Sequence, residues 1–161
     1  MRVPEIYDEF FGEKRENRET GEEIYQELKE LENLPPEKKL AFWRKYFSRC
    51  IRCSACKQVC PLCYCEECIL EKTDPHWVLP LATPEEAFAY HIIRFYHQAG
   101  RCTSCGECER VCPVNIPLRL IYEKLAKTIK ELYDYTPGID PEQKPPLLTF
   151  KPEDKEMESI L

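Results

Sequence analysis

Two stretches of this 161-residue chain hold most of its reactive side chains. The first reads Cys50-Ile-Arg-Cys53-Ser-Ala-Cys56-Lys-Gln-Val-Cys60-Pro61, and the second Cys102-Thr-Ser-Cys105-Gly-Glu-Cys108-Glu-Arg-Val-Cys112-Pro113. Both are C-x2-C-x2-C-x3-C-P. Three thiolates separated by two residues can wrap three irons of one cubane, while the N–H groups of the loop between them offset the negative charge of the group. The fourth cysteine lies beyond the reach of its own loop and ligates the other cubane, the pattern by which two such runs share two 4Fe–4S clusters. The spacing therefore assigns Cys50, Cys53, Cys56 and Cys112 to one cluster, and Cys102, Cys105, Cys108 and Cys60 to the other. The proline after the fourth cysteine turns the chain away and removes a competing donor. Zinc is the alternative chemistry, in a zinc-stabilised interaction module with no redox role. Zinc sites made of four cysteines, however, usually use two C-x2-C pairs without a third cysteine at the same interval or a trailing C-P.

Three cysteines remain: Cys63, Cys65 and Cys68 follow the first run in the segment PLCYCEEC. They read either as reduced, partly buried thiols acting as small hydrophobes or as a third metal site, zinc or iron–sulfur. The fourth ligand of such a site would be His76, the nearest candidate in sequence, or a residue of a partner chain. His91, Arg94 and His97 stand at i, i+3 and i+6, a spacing that scatters them over a helix surface and reads as solvated side chains. Arg49, Arg52 and Lys57 surround the first run, whereas Glu107 and Glu109 sit in the second. That asymmetry predicts the higher potential for the cluster of the first run. No nucleophile–base pair, glycine-rich phosphate loop or nucleotide fingerprint is present, so no catalytic residue is assigned and substrate chemistry is expected on another subunit.

The elements that must position these runs read as helices. Thr20 and Glu23 form a capping box ahead of a stripe of Ile24, Leu28 and Leu31. Pro35 and Pro36 end that helix and begin a second, with Leu40, Trp43 and Phe47 on its buried face, which delivers the chain to Cys50. After a dense cysteine loop, Thr83, Pro84 and Glu86 open a third helix with Phe88, Ile92, Phe95 and Ala99 on one face. Gly100 is its stop, and Cys102 follows at once. A fourth helix starts near residues 115–117 and carries Ile121, Leu125, Ile129 and Leu132. Strand-like alternation is missing. The expected organisation is a charged arm over residues 1–19, a helical dicluster domain over 20–136 and a proline-rich tail over 137–161. The tail is expected to lie extended across a partner subunit, anchored by residues 147–150.

The net charge of −6 argues against nucleic acid as the main partner. No apolar run approaches the ~20 residues a membrane span needs, and residues 1–11 lack the charged-then-apolar pattern of a leader. Eleven cysteines in such a chain read as metal ligands in a reducing cytoplasm, not as disulfides.

Cys60 and Cys102 are separated by 41 residues that include a strong helix. In this the chain resembles the α-helical ferredoxin module of succinate dehydrogenase iron–sulfur subunits and heterodisulfide reductase C subunits, over residues 40–132. The stretches FWRKYFSR, CIRCSACKQVCPLCYCEEC and HIIRFYHQAGRCTSCGECERVCPVNIPL further resemble the dicluster subunits attached to formate dehydrogenases and heterodisulfide-reductase-type complexes. The resemblance implies a mainly α, ferredoxin-like two-cluster module with extended arms at both ends. It also implies a non-catalytic electron-transfer subunit in a cytoplasmic oxidoreductase. Its partners would be larger subunits carrying flavin, molybdenum or tungsten, or further iron–sulfur clusters.

Overall fold

The computed structural model describes residues 21–149, with side chains from Gln26 onward other than that of Leu147. The expected arm over residues 1–19, Thr20, the side chains of Glu23 and Ile24, and the end of the tail from Phe150 lie outside these residues. Six α-helices follow in order: α1 (Gly21–Glu32), α2 (Pro36–Phe47), α3 (Ala55–Gln58), α4 (Pro84–His97), α5 (Glu107–Arg110) and α6 (Leu118–Tyr133). A 3-10 turn closes the described tail at Pro146–Leu148. No strand occurs among the described residues.

Sequence chemistry sets the helix ends. Pro35 is the extended residue before α2, and Pro36 occupies its first turn, where a missing N–H costs nothing. Thr83 caps α4, its Oγ1 accepting from Glu86 N at 3.3 Å. The reciprocal half of that capping box does not form. Instead, Glu86 Oε2 accepts from Leu79 N at 2.8 Å and ties the preceding loop to the helix. Gly100 adopts φ +67°, and a β-carbon there would stand 2.9 Å from Pro146 Cδ, so the tail returns to seat Pro145 and Pro146 beside the end of α4.

The helices form an open frame around the cysteine loops. Phe47 at the end of α2 is fully buried and lies in an edge contact with Phe88 of α4, ring centroids 5.8 Å apart. Helix α6 packs its Ile121, Leu125 and Ile129 face inward; Leu132 and the α2 residue Leu40 are exposed, so both expected stripes are one residue shorter than read. Helix α1 rests on α6 through Leu28, Leu31 and Leu120. Glu32 accepts from Lys124 Nζ at 2.5 Å and from Lys127 Nζ at 2.7 Å, pairs that hold its carboxyl down at about 2.

Candidate metal centres

The two cysteine runs fold alike. In the first, Arg52 and Ser54 take left-handed φ of 56° and 59°; in the second, Ser104 and Gly106, at the same two positions, take 57° and 78°. Three of these four residues have a β-carbon and bear about 1–2 kcal/mol each for that conformation. The reversals coil each loop so that successive N–H groups face its inside, the nest arrangement that suits an anion. Arg52 N and Ser104 N donate to Cys50 Sγ and Cys102 Sγ, each at 3.4 Å. The loops then run into matching single helical turns, where Lys57 N donates to Ser54 O at 2.9 Å and Glu109 N to Gly106 O at 3.0 Å. These turns, α3 and α5, pack against each other.

The fourth cysteine of each run leaves its own loop for the other. Cys50, Cys53, Cys56 and Cys112 line one cavity of about 330 Å³, together with Tyr90 and His91. Cys60, Cys102, Cys105 and Cys108 line a second, of about 430 Å³, together with Arg94 and Tyr122. Ile116 N donates to Cys112 Sγ at 3.4 Å from the start of α6. Among the described residues no three His, Cys, Asp or Glu side chains converge closely enough for a single ion. Burial pushes the Cys50, Cys56 and Cys102 thiols up, and Cys108 up to about 12, so these sulfurs ionise only when a cation takes the proton's place. The donor set and the nests fit two 4Fe–4S clusters.

The helix between the runs supplies the rest of both walls. His91 and Arg94, expected on the surface of α4, are 3 % and 2 % exposed. His91 stacks on Phe47 with ring centroids 4.5 Å apart, and neither ring nitrogen has a partner. Burial, then Arg94 and Arg52, hold it neutral, down at about 3. Arg94 Nη1 donates to Tyr122 OH, and Nη2 donates to Cys56 O at 2.8 Å. Burial works against its charge, yet Tyr122 and the thiols of Cys56, Cys63 and Cys108 hold it protonated. A guanidinium this deep needs anionic surroundings, and the thiolates provide them. The Arg52 guanidinium lies 4.3 Å from the Tyr90 ring centroid and donates to Glu86 O at 3.0 Å.

A third cavity, of about 390 Å³, is lined by Cys63, Cys65 and Cys68 with His97, Gln98 and Arg101. His76 is not brought to these cysteines; it borders a separate groove beside Arg52, Glu71 and Lys72. The sequence reading also missed Gln98, whose Nε2 donates to Cys63 Sγ at 3.2 Å. The acidic residues of the second run are already engaged: Glu107 accepts from Arg110 Nε at 2.9 Å, and Glu109 accepts from Arg119 N at 2.8 Å. On the other side, Lys57 pairs with Glu71.

Residues 46–116 match the family model of the 4Fe–4S dicluster domain, which implies two such clusters. Over 109 residues, 68 % of its length, the chain is 38 % identical to the F420-dependent formate dehydrogenase subunit beta of Methanocaldococcus jannaschii. Over 105 residues, 65 % of its length, it is 35 % identical to the F420-dependent formate dehydrogenase 1 subunit beta of Methanococcus maripaludis. The matched region makes up 28 % and 26 % of those proteins, so the chain spans about a quarter of the length of the curated relatives it matches. No helix among the described residues is long and apolar enough to cross a membrane.

Proposed function

We propose, from the match of residues 46–116 to the 4Fe–4S dicluster domain, that the chain is a non-catalytic, cytoplasmic electron-transfer subunit that relays single electrons inside a larger oxidoreductase. The observation that carries the reading is the crossing of the two runs. Each cavity is lined by three cysteines of one run and the fourth of the other. Bound there, the two cubanes would each accept and release one electron. The protein's part is to hold them close and to set their potentials. The packing of α3 on α5 keeps the two loops together, while Cys60 and Cys112 each give a covalent path from one loop to the opposite cavity. Nest N–H groups, the Tyr90 and Tyr122 hydroxyls and the Arg94 guanidinium all lie where they stabilise added negative charge. The relatives' name, formate dehydrogenase subunit beta, supports a catalytic partner of that general kind, a larger subunit bearing flavin, molybdenum or tungsten, or further clusters.

The test is spectroscopic. Protein purified without oxygen should be brown, bleach with dithionite and show the electron paramagnetic resonance of two interacting reduced clusters. Cys112→Ser should damage the cluster held by Cys50, Cys53 and Cys56, and Cys60→Ser the one held by Cys102, Cys105 and Cys108. Loss of the cluster in the variant's own run would refute the crossing, and a colourless, zinc-containing protein would refute the redox reading. Isolation with its native partners would identify the catalytic subunit.

A further inference from the structure

The Cys63 cavity is built like the two dicluster cavities. Three thiols border it, none of them used by the C-x2-C-x2-C-x3-C runs. Leu62, Arg94 and Gln98 form a wall common to it and the Cys102 cavity. The side chains over it are cationic or hydrogen-bond donors: Lys57, Arg94 and Arg101 border the space, and Gln98 Nε2 treats Cys63 Sγ as an acceptor at 3.2 Å. A sulfur that accepts from an amide, with the Arg94 and Arg101 guanidinium groups bordering the same space, is placed as a metal-bound thiolate is, with its charge compensated from behind.

The backbone around these cysteines makes the same demand. Between α3 and α4 the chain runs from Val59 to Thr83 without a helix or a strand. Its fixed points are local turns and single contacts: Cys63 N donates to Cys60 O at 3.1 Å, Glu71 N and Lys72 N donate to Cys68 O at 2.9 and 3.1 Å, Glu71 pairs with Lys57, Leu79 N donates to Glu86, and Leu70 and Val78 reach the core. A connection this long inside a small domain needs a staple, and three of its residues are thiols around one space.

We propose that Cys63, Cys65 and Cys68 hold a third iron–sulfur cluster, a cubane whose fourth iron is ligated by His97. His97 stands in the last turn of α4, one residue before Gln98, and is the histidine that borders this cavity. Three thiols and one imidazole bordering one space, with a wall in common with the Cys102 cavity, supply the four ligands a cubane takes. Cys65 and His97 are exposed, which puts this cluster at the rim, next to the Cys102 cavity, where an electron enters or leaves the pair.

Metal analysis of the full chain, purified without oxygen and reconstituted with iron and sulfide, tests this without a variant. About twelve irons and a similar amount of sulfide per chain are expected, four for each cubane, with three electrons taken up on full reduction. About eight irons, with or without one zinc, would overturn the third cluster and leave the dicluster reading intact; about four would overturn both. Cys65→Ser combined with Cys68→Ser should remove about a third of the iron and keep the coupled resonance of the other two clusters. For His97, the reduced protein should show nitrogen hyperfine coupling that His97→Cys abolishes at unchanged iron content. Coupling that persists in that variant would remove His97 from the site.

Discussion

At the scale of single residues, the cysteines were legible and the charges around them were not. A C-x2-C-x2-C-x3-C-P run announces its chemistry because a cubane fixes ligand spacing along the chain. His91 and Arg94 carry no such signature. An apolar-stripe reading of α4 sends Phe88, Ile92 and Phe95 inward, but the face that meets the cofactors is polar, and those three residues are only half-buried. The expectation that Arg49, Arg52 and Lys57 oppose Glu107 and Glu109 also counted charges without their partners, since Lys57 pairs with Glu71 and Glu107 with Arg110. The buried charge among the described residues is that of Arg94, which borders the Cys102 cavity, donates to the carbonyl of Cys56 in the other quartet and has no carboxylate partner. Its counter-ions are the clusters themselves. A unit charge about 8 Å from a cluster is worth roughly 2 kcal/mol at an effective dielectric near 20, about 80 mV in a one-electron couple. Arg94→Gln should therefore lower the potentials of both dicluster centres by an amount of this order, and Arg94→Lys should recover much of the loss. A redox titration followed by paramagnetic resonance checks it; unchanged potentials in Arg94→Gln would remove the residue from the tuning role.

At the scale of elements, caps and prolines were readable because they act locally. Pro36 and Thr83 stand where α2 and α4 begin. Glu86 was misassigned because its partner, Leu79 N, belongs to a loop whose path the helix pattern does not encode. The docking of α1 on α6 was equally hidden, being tertiary: it joins Glu32 to Lys124 and Lys127 across the fold. Two tests separate the apolar and ionic parts of that contact. Leu28 is 2 % exposed, and Leu28→Ala should cost about 2–5 kcal/mol of local stability. It would be read as faster hydrogen exchange across α1, with the visible spectrum of the clusters unchanged. The Glu32 carboxyl is depressed from its ordinary range to about 2, so its stabilisation is complete above about pH 4.5 and is lost as the pH falls through 2. Glu32→Gln should show the looser α1 already at neutral pH, where the clusters stay intact, read as faster hydrogen exchange across α1 than in the wild type.

At the scale of the whole molecule, the clusters complete a hydrophobic core that packs directly against the cysteines, with Phe47, Ile116 and Leu118 beside Cys50, Cys56 and Cys112. The helices α3 and α5 are four residues each, far short of what holds alone in water. Both cysteine loops keep left-handed residues, and His91 is buried with unpartnered nitrogens beside the Cys50 quartet. Without metal each cavity is a void. Unfilled, that space leaves the cavity linings without packing partners, a cost set against a total stability for a domain of about 5–15 kcal/mol. The uncompensated Arg94 adds to that cost, because a buried charge deprived of its counter-ions is strongly destabilising. The cysteine runs made the clusters legible; the buried Arg94 between them was not, because an arginine three residues from a histidine on a helix carries no sign of burial. Chelating the iron under anaerobic conditions should abolish the cooperative thermal transition and remove most of the ellipticity of α3–α6. The helix pair α1 and α6 cannot survive alone, because α6 also forms the floor of both quartets through Leu118 at its start, with Ile116 just before it, and Tyr122 within it. Iron and sulfide restored together should bring back the transition and the visible absorption in parallel. An iron-free chain that melts cooperatively near the temperature of the loaded one would mean that the frame stands without its clusters.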